Sequence, residues 1–180
     1  MASTYSVWVE PTGKLASQLQ QQINRLAEAY GGPTFPPHVT IAGGVTGSEQ
    51  QILDTAKRLA GIIKPYRISF DEPDHGSIYH QCVYMLCRQD DAAMKAGKQS
   101  KETFGQDAGS AYMPHLSLLY SDIDEHTRKQ AVDDIKQRLQ GADELQAGSF
   151  DVKSIHVYLT DPQDKLCKTW KRVEELPLTS

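Results

Sequence analysis

Two short stretches of this chain carry residue types suited to proton transfer at phosphorus. Pro37-His38-Val39-Thr40-Ile41 and Pro114-His115-Leu116-Ser117-Leu118 share one pattern: proline, histidine, aliphatic, hydroxyl, aliphatic. Side chains of an extended strand alternate between its two faces. His38 and Thr40 therefore share a face, as do His115 and Ser117, while the aliphatic residues point the other way, towards a core. If the two polar faces meet across a cleft, two imidazoles and two hydroxyls converge on one small volume. In-line displacement at phosphorus needs a base beside the incoming water and an acid beside the leaving oxygen. Imidazole titrates near neutrality, so one ring can be neutral while the other is protonated. Thr40 and Ser117 can donate hydrogen bonds to the non-bridging oxygens, where charge gathers in the transition state. A single His-x-[Ser/Thr] is a common strand with one solvated face; two copies with matching flanks are what point to a site.

The elements that must position these residues follow from periodicity and breakers. Tyr5 to Val9 reads as a strand and Lys14 to Tyr30 as a helix, with Leu15, Leu19, Ile23 and Leu26 on its apolar stripe and Gly31-Gly32-Pro33 ending it. Pro37 to Gly43 is a strand. Ser48 caps a second helix running to about Ile63. Tyr66 to Phe70 and Gln81 to Cys87 are strands joined by a turn-rich Asp71 to Gly76 segment. A helix over Asp90 to Phe104, a strand over His115 to Tyr120 and a helix over Asp122 to Leu139, capped by Asp122 or Asp124, come next. Phe150 to Leu159 and Thr169 to Leu176 close the chain as strands. The order predicts an α+β fold with helices on one side of largely antiparallel sheet. No linker divides residues 1–180, so one domain is expected, and the echo of the two motifs suggests two similar lobes.

Composition narrows the function classes. The chain has 180 residues, 39% hydrophobic and 23% charged, with a formal net charge of -4. An acidic balance argues against long nucleic acid as partner, though a local site can still take a small anion. No apolar run spans a bilayer and no signal-peptide pattern opens the chain, so a cytoplasmic protein without membrane contact is expected. Three cysteines make no disulfide framework, and Cys82 and Cys87 read as buried small hydrophobes. HExxH, HxH and CxxC are absent, so neither metal nor other cofactor is expected. His126 is expected at the surface and His156 on a sheet face or in the core.

Paired His-x-Thr/Ser motifs resemble the 2H phosphoesterase superfamily, and within it the chain is similar to the plant-type cyclic phosphodiesterases. The similarity runs through Tyr5-Ser6-Val7-Trp8, Pro37 to Thr40, Gln81-Cys82-Val83, Tyr112 to Tyr120 and Thr169-Trp170. The resemblance implies a bilobal fold in which two antiparallel sheets line a central cleft, with helices outside. It implies His38 and His115 as catalytic proton donor and acceptor, and Thr40 and Ser117 as phosphate contacts. It implies opening of ADP-ribose 1″,2″-cyclic phosphate, a by-product of tRNA splicing, to ADP-ribose 1″-phosphate, and of nucleoside 2′,3′-cyclic phosphates to 2′-phosphates. The expected partner is a small cyclic-phosphate nucleotide, acted on by a monomer.

Tyr120 also matches a substrate-binding position. By strict alternation it falls opposite His115 and Ser117, so it reaches the cleft only if the strand ends or bulges near Leu119; otherwise it is a core tyrosine. Trp8 either lines the cleft and stacks on a base or belongs to the core. In the Asp74 to His80 loop the chain departs from the plant pattern, with His75 and His80 where aromatics are expected; Tyr79 can replace the stacking, and His80 is expected to face solvent. Which histidine is the base is not set by sequence, with a lean towards His115. A non-catalytic nucleotide- or RNA-binding module and an RNA 2′,5′-ligase-like enzyme are the competing readings. Retention of both histidines and both hydroxyls favours the hydrolase.

Overall fold

The computed structural model describes residues 2–139 and 148–179. The elements run in the order β1 (Ser3–Val9), α1 (Gly13–Tyr30), β2 (Val39–Gly47), α2 (Glu49–Ala60), β3 (Tyr66–Ile78), β4 (Gln81–Cys87), α3 (Asp91–Thr103), β5 (His115–Leu119), α4 (Glu125–Leu139), β6 (Ser149–Val152), β7 (Ser154–Leu159) and β8 (Lys171–Pro177). Capping behaves as the side chains dictate. Ser48 accepts from the Gln51 N-H in a reciprocal capping box, and Asp90 accepts from the Ala93 N-H. Asp124 rather than Asp122 caps α4, accepting from the Thr127 N-H at 2.8 Å.

The eight strands form the order β6-β3-β4-β5-β2-β1-β7-β8, and each recorded pairing is antiparallel. The two expected sheets are thus two four-stranded halves of one curled sheet. They meet where Val39 on β2 pairs with Leu116 on β5. Each half repeats a strand-helix-strand-helix run, β1-α1-β2-α2 and β4-α3-β5-α4. Val39, Ile41, Leu116 and Leu118, the aliphatics interleaved in the motifs, are buried in the core beneath the helices.

Two expectations fail for identifiable reasons. The Asp71 to Gly76 segment is strand, not turn, because β6 pairs with β3 only from Tyr66 to Ser69. The Phe70 N-H still donates to the Gly148 carbonyl, but β6 does not reach further along that edge, so Pro73 costs no ladder bond and still pairs with Met85 across a bulge. Phe150 to Leu159 is two strands. It breaks at Lys153, and β6 then joins β3 at one edge of the sheet while β7 joins β1 in the other half. No helix among the described residues is long and apolar enough to cross a membrane.

Candidate active site

The pairing of Val39 with Leu116 decides how the motifs face each other. In an antiparallel register about that pair, His38 stands across from Ser117, and His115 across from Thr40. All four side chains lie on the concave face, away from the helices. Each imidazole is then oriented the same way. His38 Nδ1 lies 2.7 Å from the Pro36 carbonyl and His115 Nδ1 lies 2.8 Å from the Met113 carbonyl. A carbonyl only accepts, so Nδ1 carries the proton in each neutral ring, leaving the Nε2 lone pair free. A proline beside each carbonyl-bearing turn fixes the chain entering the strand.

The electrostatics of the two rings differ. His38 is 4% exposed. Burial, opposed by the Pro36 carbonyl and reinforced by the nearby His115, pushes its imidazole from the ordinary 6.5 down to about 3. His115 is half-buried, and burial lowers it too, against the Met113 carbonyl. At neutral pH the unliganded chain therefore holds both imidazoles neutral, and a bound phosphate anion would draw a proton onto the pair.

Two bays flank the histidines. The aromatic one, of about 240 Å³, is lined by Trp8, His38, Thr40, His80, Tyr120 and Trp170, among others. The polar one, of about 550 Å³, is bounded by Thr40, Gln81, Lys101, Gln106, Tyr112 and His115, among others. Tyr120 reaches the cleft by the route its position requires. Between the pairs Tyr84↔Ser117 and Val83↔Leu119 the register shifts, so Leu118 is the extra residue of a bulge, and β5 ends at Leu119. The bulge reverses the alternation and returns Tyr120 to the histidine face. There it stacks on Phe35 at 4.0 Å.

Trp8 edges the aromatic bay, but both its ring faces are covered. His38 stacks on one at 3.4 Å, and Tyr158 on the other at 3.8 Å. His80 does not face solvent as expected; it is half-buried in the bay wall, 5.0 Å from Tyr120 and 5.8 Å from Trp170. His126 is exposed and His156 is buried on the concave face, paired with Trp8.

Comparison with known proteins places the chain in a family and a fold. The family model described as "Cyclic phosphodiesterase-like protein" matches residues 1–176. The chain belongs to the cyclic phosphodiesterase family. A cyclic phosphodiesterase of Arabidopsis thaliana is 30% identical over 169 residues, covering 94% of this chain and 92% of that protein. Escherichia coli LigT, solved with 3'-AMP, superposes over the whole of both chains with a TM-score of 0.64 at 14% identity. Usb1 of Kluyveromyces marxianus has a TM-score of 0.51 at 11% identity, with 98% of each chain covered. These two establish the shared fold. As a member of the cyclic phosphodiesterase family the chain is an enzyme.

Sequence reasoning missed two residues that build the cyclic phosphodiesterase cleft. Tyr112 donates from its hydroxyl to the Thr40 carbonyl at 3.0 Å, tying the loop before His115 to the strand of His38. Arg128 on α4 is buried and donates to the carbonyls of Gly76, Ile78, Ser121 and Ile123, anchoring both the β3-β4 hairpin and the turn after Tyr120. An aromatic three residues before each histidine, Phe35 and Tyr112, was the available signal for the first. A lone arginine on a helix gave none for the second. Among the described residues no group of three or more His, Cys, Asp and Glu is arranged to hold a metal ion.

Proposed function

We propose that this enzyme hydrolyses cyclic phosphodiesters without a metal ion, using His38 and His115 as its acid-base pair. Water attacks phosphorus, one imidazole takes its proton, and the other protonates the ring oxygen that departs. Thr40 and Ser117 hold the non-bridging oxygens, and Tyr120 closes the bay beside His38 and Thr40. The observation that carries this reading is the matched orientation of the imidazoles: each Nδ1 is bound to a carbonyl two residues back, leaving both Nε2 atoms free.

The two bays support a nucleotide substrate. A base fits against His80, Trp170 and Tyr120 in the aromatic bay, while the polar bay has room for sugar and further phosphate. Nucleoside 2′,3′-cyclic phosphates, opened to 2′-phosphates, and ADP-ribose 1″,2″-cyclic phosphate, opened to the 1″-phosphate, are the substrates proposed. The second would place the enzyme in clearing a by-product of tRNA splicing. A small soluble substrate and a monomeric, cytoplasmic enzyme complete the proposal.

The test is phosphorus NMR of a nucleoside 2′,3′-cyclic phosphate with the enzyme in EDTA, followed by ADP-ribose 1″,2″-cyclic phosphate. Opening to a single monoester that survives EDTA is expected. His38→Ala and His115→Ala should each lower turnover at least about a hundredfold, the usual scale for acid-base groups. Near-full activity in either variant, or activity abolished by EDTA, overturns the proposal. Binding without turnover of either substrate would mark a nucleotide-binding module instead.

A further inference from the structure

A cleft that takes anionic substrates draws on fixed positive charge, and this one has a single source of it. Among the described residues that line the two bays, Lys101 is the only lysine or arginine. It stands half-buried in the last turn of α3 and borders the polar bay that His115 shares. Lys165, in the loop before Trp170, is instead paired with Asp122 at 2.9 Å.

Lys101 is held only by neutral groups. Its ammonium donates to the Ser110 hydroxyl at 2.8 Å and to the carbonyls of Ser110 and Ala111 at 3.2 and 3.4 Å. Its neighbour in the helix, Glu102, is turned to Lys98, 3.9 Å away. Asp107 lines the same bay, but its carboxylate accepts from the Gly109 N-H at 2.9 Å. Among the described residues no carboxylate lies within ion-pair distance of Lys101. The carbonyl dipoles ending α3 favour a cation there without cancelling its charge. The side chain is thus ordered by its contacts, while its charge stays open to an anion.

Its distance from the motif residues is set as well. The ammonium sits 5.9 Å from the centre of the Tyr112 ring, and the hydroxyl of that ring donates to the Thr40 carbonyl at 3.0 Å. One tyrosine side chain therefore separates Lys101 from the backbone of Thr40. Thr40 lines both bays, so a phosphate held by its hydroxyl stands at their junction.

We propose that Lys101 is a specificity-determining residue, which binds a second phosphate carried on the 5′ carbon of the substrate ribose. This rests on the hydrolytic reading above and deepens it. In a nucleoside cyclic phosphate the base leaves the sugar at C1′ and the 5′ carbon leaves it at C4′, on either side of the ring oxygen. With the base in the aromatic bay and the cyclic phosphate at Thr40, the 5′ carbon is directed into the polar bay. A phosphate there meets the ammonium, and one of its oxygens takes the place of the Ala111 carbonyl, the longest of the three bonds. Of the two substrates proposed, ADP-ribose 1″,2″-cyclic phosphate bears such a phosphate on its 5″ carbon. A plain nucleoside 2′,3′-cyclic phosphate has only a hydroxyl in that place. A lysine that merely tied its own loop would not tell the two apart.

Isothermal titration calorimetry of the intact chain with adenosine 2′-phosphate and with adenosine 2′,5′-bisphosphate tests this without turnover. The bisphosphate is expected to bind about tenfold tighter, the scale of one charge-assisted hydrogen bond. Lys101→Met should remove that preference, and Lys101→Arg should keep most of it. Ser110→Ala removes a loop contact but leaves the ammonium, so it should keep the preference too. Added salt should shrink the wild-type preference, because ion pairing is screened. The proposal is overturned if the wild type binds the two ligands alike, or if the preference survives Lys101→Met. It is overturned equally if Ser110→Ala loses as much as Lys101→Met, which would make the lysine a loop tie. If Lys101→Met does not fold, Lys101→Gln decides, because its amide can still donate to Ser110 while carrying no charge. Failure to bind either nucleotide overturns the proposal together with the hydrolytic reading, whereas a preference indifferent to Lys101 overturns the proposal alone.

Discussion

His38 is a polar residue placed where a hydrophobe would be cheaper, and its cost can be read in acid. In the unfolded chain its imidazole takes a proton near 6.5, but in the folded chain only near 3. Between those values the unfolded state carries the extra proton. Stability is therefore full above 6.5 and falls as pH falls through the window, by about 1.4 kcal/mol per pH unit. His115 acts in the same direction. His38→Gln cannot be protonated, so its acid-unfolding midpoint should lie below that of the wild type when followed by circular dichroism. Carboxylates also titrate there, but they are the same in both proteins and cancel in the comparison. Equal midpoints would mean that His38 is not buried as a neutral ring. At this scale the sequence was legible for the four motif residues, because strict alternation is a property of the strand alone. Trp8 was not separable from a core aromatic, since cross-strand pairing assigns its neighbours.

The bulge at Ile41 left no mark in the sequence, and the one at Leu118 was named there only as a condition for Tyr120 to reach the cleft. A bulge is one unpaired residue within a strand, and the composition there is ordinary for a buried strand. Only the shift against β1 and β4 reveals it. The chain crossing at Lys153 was hidden in the same way, because β6 and β7 read as one apolar run until their partners are known. Helices were more legible, since their caps and stripes are local. Helix α3 carries one exception at Gly97. A Cβ there would overlap the ring of Tyr112, the residue that ties its loop to Thr40. In an exposed helix interior, Gly→Ala would stabilise by about 0.5–1 kcal/mol. At Gly97 the overlap should win, because forcing a methyl group into a packed contact costs about 1–3 kcal/mol. Urea unfolding of Gly97→Ala should show a net loss of stability, and kcat/KM should fall as the loop before His115 moves. A stabilised, fully active variant would show that Tyr112 has room to shift without consequence.

Across the whole molecule, the seam between the halves is thin in strands and thick in everything else. The register between β2 and β5 consists of one recorded pair, Val39 with Leu116. Helices compensate by crossing over: α1, which joins β1 to β2, packs against β5, and α3, which joins β4 to β5, packs against β2. Aromatics do the same at the cleft, with Phe35 of the first half stacked on Tyr120 of the second, and Tyr112 of the second bonded to Thr40 of the first. Each half has a helix of its own on its sheet, α2 on the first and α4 on the second. Each also takes a helix from the other half at the seam, which ties the cleft between His38 and His115 to the folding of both. The expected consequence is one cooperative transition. Native-state hydrogen exchange should give the slowest amides of β1 and β4 the same opening free energy, equal to that of global unfolding. A β4 that opens at clearly lower free energy than β1 would show that the second half unfolds alone. The exchanged helices would then be a seal over the seam rather than the bond across it, and the spacing of the histidine pair would have to be held by the first half and the aromatic contacts.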